Sequence, residues 1–264
     1  MDDGRVKVIP TPAWFAEKGK DRTDLDSQTK QAYIDFREEY GPEKLANLSG
    51  DDLLEFFCIG YKDNSLCYAL EFNKKYKPFG SIGGGSAYKF CVYYSKKDNH
   101  WKTSLAGNTP LDHGMRDIDA DEAIELVTKL KEALLKGVDV IKSFKKIENI
   151  NDYLGLAQKL REFNADIEKE EIYNFIYKQW VLKYYHMLFP DVIPNFYSEG
   201  WINYLIEILD LTSHKDYLEK LGEITLYAKK TGLSEVVFWI IWRFSTANPL
   251  TRYHKSERPV PSFQ

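Results

Sequence analysis

The spacing of apolar positions changes near residue 145, and the change predicts two kinds of structure in one chain. Before that point, short alternating stretches lie between helical ones. Beyond residue 151, apolar residues recur almost throughout at intervals of three and four, the pattern of amphipathic helices. The sequence therefore predicts an α+β fold, in which a small antiparallel sheet with flanking helices is followed by an all-α helical bundle.

The predicted sheet lies between residues 61 and 103. Residues 87–94 are aromatic and β-branched and alternate in polarity, which is typical of a strand. The polar residues 96–99 predict a hairpin turn, and residues 100–102 begin the returning strand. Residues 61–72 also alternate, at Leu66, Tyr68 and Leu70, and are predicted to form a strand.

The predicted helices are defined by their apolar stripes and capping residues. Asp119 precedes a clear stripe, and its carboxylate can accept hydrogen bonds from the first-turn amides. Pro10, Pro12 and Gly19 predict irregular structure up to residue 28. We expect helices at 29–39, 120–136, 138–144, 151–163, 168–187, 198–210, 214–230 and 233–244.

These patterns predict four parts of the chain. They are an irregular N-terminal extension, in which Trp14 and Phe15 dock onto the main body, an α+β recognition domain, an all-α domain and a tail or linker. Their predicted bounds are 1–28, 29–145, 146–247 and 248–264.

Charge is distributed unevenly along the chain. The net charge of −4 excludes a globally basic nucleic-acid binder. Residues 62–102, however, carry eight lysines against three acidic residues, a local charge of +5. Two interpretations stay open: a surface that faces an anionic ligand, and a lysine-rich sheet edge that lysines protect from aggregation.

Cysteine content and hydropathy predict a cytoplasmic protein. Cys58, Cys67 and Cys91 are odd in number, fit no zinc spacing and lie among apolar residues, which predicts buried, reduced thiols. We find neither an apolar leader nor an apolar stretch of 18 residues, so neither secretion nor membrane spanning is expected.

The segment from Phe79 to Phe90 contains three consecutive glycines before a predicted strand. Glycine costs backbone entropy on folding, so a run of three needs a reason. The spacing fits neither a P-loop nor a dinucleotide fingerprint, and no helix follows the run. A bulge entering the strand and a loop whose amides approach a ligand both remain possible.

The residues around the glycine run predict a nucleic-acid site. Aromatic rings can stack on a flipped or single-stranded base, and lysines can contact phosphate. We find no metal-ligand spacing and no G-x-S-x-G motif, so the prediction is a binding module without enzymatic activity or cofactor. The predicted site residues are Phe79, Ser81, Gly83, Gly84, Gly85, Ser86, Tyr88, Lys89 and Trp101.

Several short motifs resemble one protein family. The residues from Leu66 through the glycine run to Phe90, the stretch 184–191, Trp201 and the Thr231-Gly232 junction resemble the N-terminal region of McrB-like AAA+ restriction ATPases. The resemblance covers roughly residues 35–245. The chain departs from full-length members because it carries no Walker motif and no AAA+ module.

The resemblance implies a DNA-specificity module of a restriction or defence system, with modified bases among the features it could read. It implies an AAA+ motor domain and a nuclease subunit as partners. The alternative hypothesis is a protein–protein interaction or scaffold module that uses the apolar C-terminal helices, above all 233–244, which is apolar on all sides.

Overall fold

A computed structural model describes residues 11–20, 23–61, 64–82, 87–105, 116–144, 147–233 and 238, without the side chains of residues 23–26 and Tyr88. In these residues the α-helices are α1 Pro12–Gly19, α2 Thr23–Tyr40, α3 Pro42–Ala46, α4 Gly50–Phe57, α5 Leu66–Glu71, α6 Ala120–Lys142, α7 Ile150–Glu168, α8 Gln179–Leu188, α9 Glu199–Ile208 and α10 Tyr217–Lys230. The strands are β1 Val92–Ser95, β2 His100–Thr103 and β3 Arg116–Ile118, and short 3-10 turns lie at Lys77–Phe79, Ala87–Phe90 and Phe175–Tyr177.

The three strands form one antiparallel sheet in the order β1-β2-β3, which confirms the predicted α+β class. In the β1–β2 hairpin, Tyr94 lies opposite Trp101 and Ser95 opposite His100. The polar residues 96–99 form the turn as predicted. Asn99 adopts a positive φ of 60° there, and its side-chain oxygen accepts a 2.6 Å hydrogen bond from the Tyr94 hydroxyl.

The described residues 12–19 and 23–28 are helical, so for them the expectation of irregular structure is wrong. Thr11 caps α1 by accepting a hydrogen bond from the Trp14 amide, and Pro12 occupies the first turn, where its missing N–H costs nothing. The predicted docking of Phe15 is confirmed: its ring is fully buried and lies 4.6 Å from the Phe238 ring, centroid to centroid.

Residues 61–72 do not form the predicted strand. Ser65 accepts a hydrogen bond from the Tyr68 amide and starts α5. The buried positions are Leu66, Cys67, Ala69 and Leu70, which form one face of a helix. The alternation of apolar residues in the sequence had suggested a strand instead. The predicted strand at 87–94 is also shorter than expected, because a 3-10 turn precedes it and Cys91 has a φ of 74°.

The predicted helices of the second half are found with shifted bounds. The one expected at 168–187 begins only at Gln179, because Glu171 and Asn174 adopt left-handed conformations that a helix does not continue through. The helices predicted at 120–136 and 138–144 form a single helix, α6. The helix predicted at 233–244 lies outside the described residues, apart from Leu233, which lies in a bend, and Phe238.

The buried apolar side chains form one cluster that includes residues from Phe15 to Phe238. Helices from both predicted domains share it, since α8 packs on α2 and α5, and α7 packs on α6. The division of the chain near residue 145 stays a prediction. In the part of the chain that the structure describes, no helix combines the length and apolar character needed to cross a membrane.

The most constrained element is α8. Every side chain from Trp180 to Leu188 is buried, including five that carry nitrogen or oxygen atoms. Lys183, Tyr184, Tyr185 and His186 form described hydrogen bonds, whereas the Trp180 indole N–H has no described partner. The Tyr184 hydroxyl donates to the carbonyl of Tyr40, and the Tyr185 hydroxyl donates to that of Leu134. A buried polar group without a partner is costly, so these bonds determine which segments surround the helix.

Two helical glycines give a matched test of packing around α8. A Cβ on Gly137 would overlap the Tyr185 hydroxyl, whereas a Cβ on Gly155 would make an ordinary 3.5 Å contact with Phe144. We expect Gly137→Ala to lower the free energy of unfolding by about 1–3 kcal/mol. Gly155→Ala should leave it unchanged or raise it by up to about 1 kcal/mol. Chemical denaturation measures both, and equal effects would contradict the described packing.

Candidate nucleic-acid interface

The structure describes only part of the predicted site. Gly83, Gly84, Gly85 and Ser86 lie outside the described residues, and so does the side chain of Tyr88. Ser81 is exposed and precedes the glycines directly. The described residues that lead into the run are Phe79–Ile82, which we call the anchored segment for the reason given below.

The Phe79 ring is only 1% exposed. It packs against Tyr33 with 4.7 Å between ring centroids, and a base could reach it only by displacing that neighbour. The Phe79 carbonyl accepts a 2.8 Å hydrogen bond from the Tyr197 hydroxyl. Phe79 therefore supports the fold at this point and offers no free face for stacking.

Trp101 is similarly enclosed. It lies in the central strand β2 and is 7% exposed. Its ring centroid lies 4.8 Å from that of Tyr61 and 5.1 Å from that of Tyr94. The three rings form a cluster over the sheet, in which only Tyr61 reaches the surface appreciably. Trp101 thus stabilises the hairpin and is not exposed to a ligand.

Lys89 points back onto the protein. Its ammonium forms an ion pair with Glu71 on α5 and donates a 3.0 Å hydrogen bond to the Ile82 carbonyl. The two side chains of the ion pair are largely buried. A phosphate contact by Lys89 would require breaking this pair, so its described role is to hold the segment beside it.

Three side chains hold the anchored segment from beneath. Tyr197 donates to the carbonyl of Phe79, Lys183 to that of Gly80 and Lys89 to that of Ile82. Gly80 itself has a φ of 90°, and a Cβ there would lie 2.6 Å from the Asn195 carbonyl oxygen. Only glycine fits this position, so the segment that precedes the glycine run is held in one conformation.

Lys183 is the unusual member of this arrangement. It is 1% exposed, and its Nζ lies 2.7 Å from the Gly80 carbonyl oxygen. Burial disfavours its charged form and lowers its pKa to about 7, against which the Glu71 carboxylate acts weakly. Sequence analysis did not identify Lys183, because a lysine in a helix gives no local signal of burial.

His186, one turn further along α8, is buried and neutral. Its Nδ1 lies 2.6 Å from the Ile193 carbonyl oxygen, so Nδ1 carries the proton. Its Nε2 therefore accepts the 2.8 Å hydrogen bond from the Tyr33 hydroxyl. Burial lowers the pKa of His186 to about 3.

Part of the described positive charge near the sheet is paired with acidic side chains. Lys75 contacts Asp35 at 2.6 Å, and Lys102 contacts Asp98 at 2.7 Å. Lys74 and Lys77 are exposed and form no ion pair with any described residue. The local excess of lysines therefore leaves fewer free cations than the sequence suggests.

Next to these two lysines lies an exposed aromatic side chain that sequence analysis missed. Phe72, at the end of α5, is 52% exposed, and its ring centroid lies 5.6 Å from that of Tyr68. The strand interpretation of residues 61–72 gave no reason to single out this pair. The cap at Ser65 was the signal that could have indicated a helix and hence an outward face.

Thiols and possible metal ligands are also found among the described residues. The three cysteines are free and buried, as predicted, and burial raises the pKa of each thiol. Among the described residues no group of His, Cys, Asp or Glu is arranged to hold a metal ion. An open cavity of about 440 Å³ has no excess charge to attract a polyanion, since its lining is Glu39, Tyr40, Lys44, Phe56, Asn64 and Asn73.

Comparisons of the chain with protein families, with curated proteins and with solved structures gave no match. The resemblance to the N-terminal region of McrB-like ATPases therefore has no support beyond the residues that suggested it. The function has to be argued from the surface that the structure describes.

The buried His186 predicts a specific dependence of stability on acid. Its pKa of about 3 in the folded state is below the ordinary 6.5, so between these values only the unfolded chain binds the proton. The free energy of unfolding of the wild type should therefore fall by up to about 1.4 kcal/mol per pH unit below pH 6.5 from this group. His186→Gln removes the contribution.

The measurement is denaturant unfolding between pH 7 and pH 4. The difference between the wild type and His186→Gln should shrink as the pH falls. His100 is exposed, so His100→Gln controls for the loss of an imidazole that is not buried. A difference that is constant with pH would show that His186 is not held neutral in the folded protein.

Proposed function

We propose that this chain is a nucleic-acid recognition module, with DNA as its ligand. The observation that carries the proposal is the exposed Phe72 ring beside the half-buried Tyr68, followed by two lysines that pair with no described residue, in the turn that leads to the anchored segment. We call this group, Tyr68, Phe72, Lys74 and Lys77, the Phe72 surface.

The chemistry of the Phe72 surface suits a strand with accessible bases. An exposed ring provides a face on which a base stacks without reading its sequence, and lysine ammonium groups contact the phosphates. Base-paired duplex offers ring faces only at its ends or where a base has been extruded. The surface therefore favours single-stranded or locally opened DNA.

The anchored segment supports the proposal in a second way. Binding loops work best when their supporting residues are fixed by packing and hydrogen bonds. The donors Tyr197, Lys183 and Lys89 fix the backbone from Phe79 to Ile82, directly after Lys77. In the proposal, Ser81, the glycines and Ser86 extend the contact, whereas Phe79, Lys89 and Trp101 support it from within.

The biological setting of the proposal rests on the resemblance alone. It consists of a cytoplasmic restriction or defence system in which the chain recognises DNA, including a modified base. An AAA+ motor and a nuclease subunit act on what it binds. In this proposal the chain itself performs no catalysis and needs no cofactor.

A second candidate function is protein–protein interaction. It is favoured by Trp201, which is 49% exposed on α9 with the Tyr204 ring beside it at 5.9 Å. Large exposed aromatic side chains are enriched in protein interfaces. Salt distinguishes the two functions, because binding to phosphate weakens steeply as salt rises and an apolar interface does not.

The DNA-binding prediction is tested by substitutions on the Phe72 surface. We expect Phe72→Ala to weaken DNA binding roughly tenfold or more, since stacking contributes about 1–3 kcal/mol per base. Lys74→Ala with Lys77→Ala should lower the slope of log affinity against log salt by about one for each lysine. Fluorescence anisotropy with single-stranded and duplex oligonucleotides, with and without modified bases, measures both.

Matched controls exist elsewhere in the chain. Tyr173 is 60% exposed, so Tyr173→Ala controls for the loss of a surface ring. The exposed pair Lys215 and Lys230, both replaced by Ala, controls for the loss of charge. No binding to any oligonucleotide at low salt would overturn the function. Binding that the Phe72-surface variants leave unchanged would overturn the site.

A further inference from the structure

Lys183 combines full burial with a bond to a segment that side chains hold in place. Its Nζ donates to the Gly80 carbonyl at 2.7 Å, and its exposure is 1%. Gly80 to Ile82 belong to no helix or strand, and the described hydrogen bonds to the carbonyls of Phe79, Gly80 and Ile82 come from side chains. Loss of one of these bonds therefore removes one of the three side-chain donors described for the segment, whose Phe79 and Ile82 side chains are also buried.

The charged form of Lys183 is poorly accommodated in this position. An ammonium has three N–H donors, and Gly80 is the one hydrogen-bond acceptor described for them. Glu71 is the anion that acts on Lys183, but it already forms an ion pair with Lys89. An incompletely satisfied buried charge is among the costliest features of a protein interior.

The groups around Lys183 do little to offset the cost of burying its ammonium. His186 on the same helix is neutral for the reasons given above, and the Arg37 guanidinium on α2 contacts the carbonyl end of α8 at Leu188. The titratable and charged groups that the described contacts bring to this region include Tyr33, Arg37, Glu71, Lys89, Lys178, His186 and Tyr197.

We propose that Lys183 is a proton-sensitive latch on the anchored segment: its neutral amine holds Gly80 in place, and proton uptake releases Phe79–Ile82 to let water reach the ammonium. The anchored segment, which the latch holds, begins two residues after Lys77 of the Phe72 surface. The latch is a property of the free protein, however, and does not require that DNA is the ligand.

The difference in the pKa of Lys183 between the held and the released segment sets the direction and the size of the effect of pH on release. The pKa of Lys183 is about 7 with the segment in place and approaches the ordinary 10.5 when water reaches the side chain. Between these values the released form binds more protons, so release becomes more favourable as the pH falls. Its equilibrium constant should rise on the order of tenfold or more from pH 8.5 to pH 6.5 and level off below about pH 7.

Hydrogen exchange of the amides of Phe79–Ile82 measures this release. We expect exchange, corrected for the intrinsic effect of pH on amide chemistry, to speed up about tenfold between pH 8.5 and pH 6.5 in the wild type. Lys183→Met introduces a neutral side chain of similar length. The corrected exchange rate of this variant should not depend on pH, even if the rate itself is higher or lower than in the wild type.

Two controls separate titration from simple loosening. Tyr197→Phe removes another donor to the segment, so it should raise exchange while keeping the pH dependence of the wild type. Lys220→Met replaces a largely buried lysine on α10, bonded to Asn203, and should leave the segment unchanged. A wild-type rate that is constant with pH, or a Lys183→Met variant that keeps the dependence, would overturn the latch.

A second variant tests the latch without replacing Lys183, in case Lys183→Met does not fold. Glu71 favours the charged form of Lys183. In Glu71→Gln, the increase in the corrected exchange rate on lowering the pH should therefore level off at a lower pH than in the wild type. An unchanged levelling point would contradict the latch. Because no ligand is present in either experiment, failure of DNA binding and failure of the latch are distinguishable.

Discussion

The described structure depends on the burial of α8 from Trp180 to Leu188. Nine consecutive residues are removed from water, and four of the five that carry a nitrogen or oxygen atom bond to four different parts of the chain. Lys183 reaches the anchored segment, while Tyr184 and Tyr185 reach the end of α2 and the middle of α6. His186 joins Tyr33 to the loop after α8. The need to satisfy these groups specifies the arrangement around the helix more narrowly than apolar packing alone would.

Local signals in the sequence predicted local structure well. The cap at Asp119 and the stripe behind it predicted α6, and the polar turn after β1 predicted the hairpin. The α+β class followed from these elements. The errors at α5 and before α8 arose where a buried helical face imitates strand alternation, and where the left-handed residues Glu171 and Asn174 interrupt a helical pattern. Such conformations depend on tertiary contacts that periodicity does not contain.

The candidate site could be predicted only in part. Sequence analysis pointed to the stretch of chain beside which the proposed site lies, but it did not give the direction of the side chains. Phe79 and Trp101 are buried because distant residues cover them, whereas Phe72 is exposed because α5 turns it outward. The charge count was misleading for a related reason, since three of the eight lysines near the sheet are neutralised by acidic residues that the fold brings to them.

The partners of α8 also determine when the fold can form. Tyr33 and His186 are 153 residues apart in the chain, Tyr40 and Tyr184 are 144 apart, and Gly80 and Lys183 are 103 apart. Contacts between such distant residues form late, and they slow folding because a large loop must be closed first. During synthesis the N-terminal helices and the sheet leave the ribosome long before the helix that completes their core. Until α8 emerges, their apolar faces are open to chaperones or to incorrect pairing.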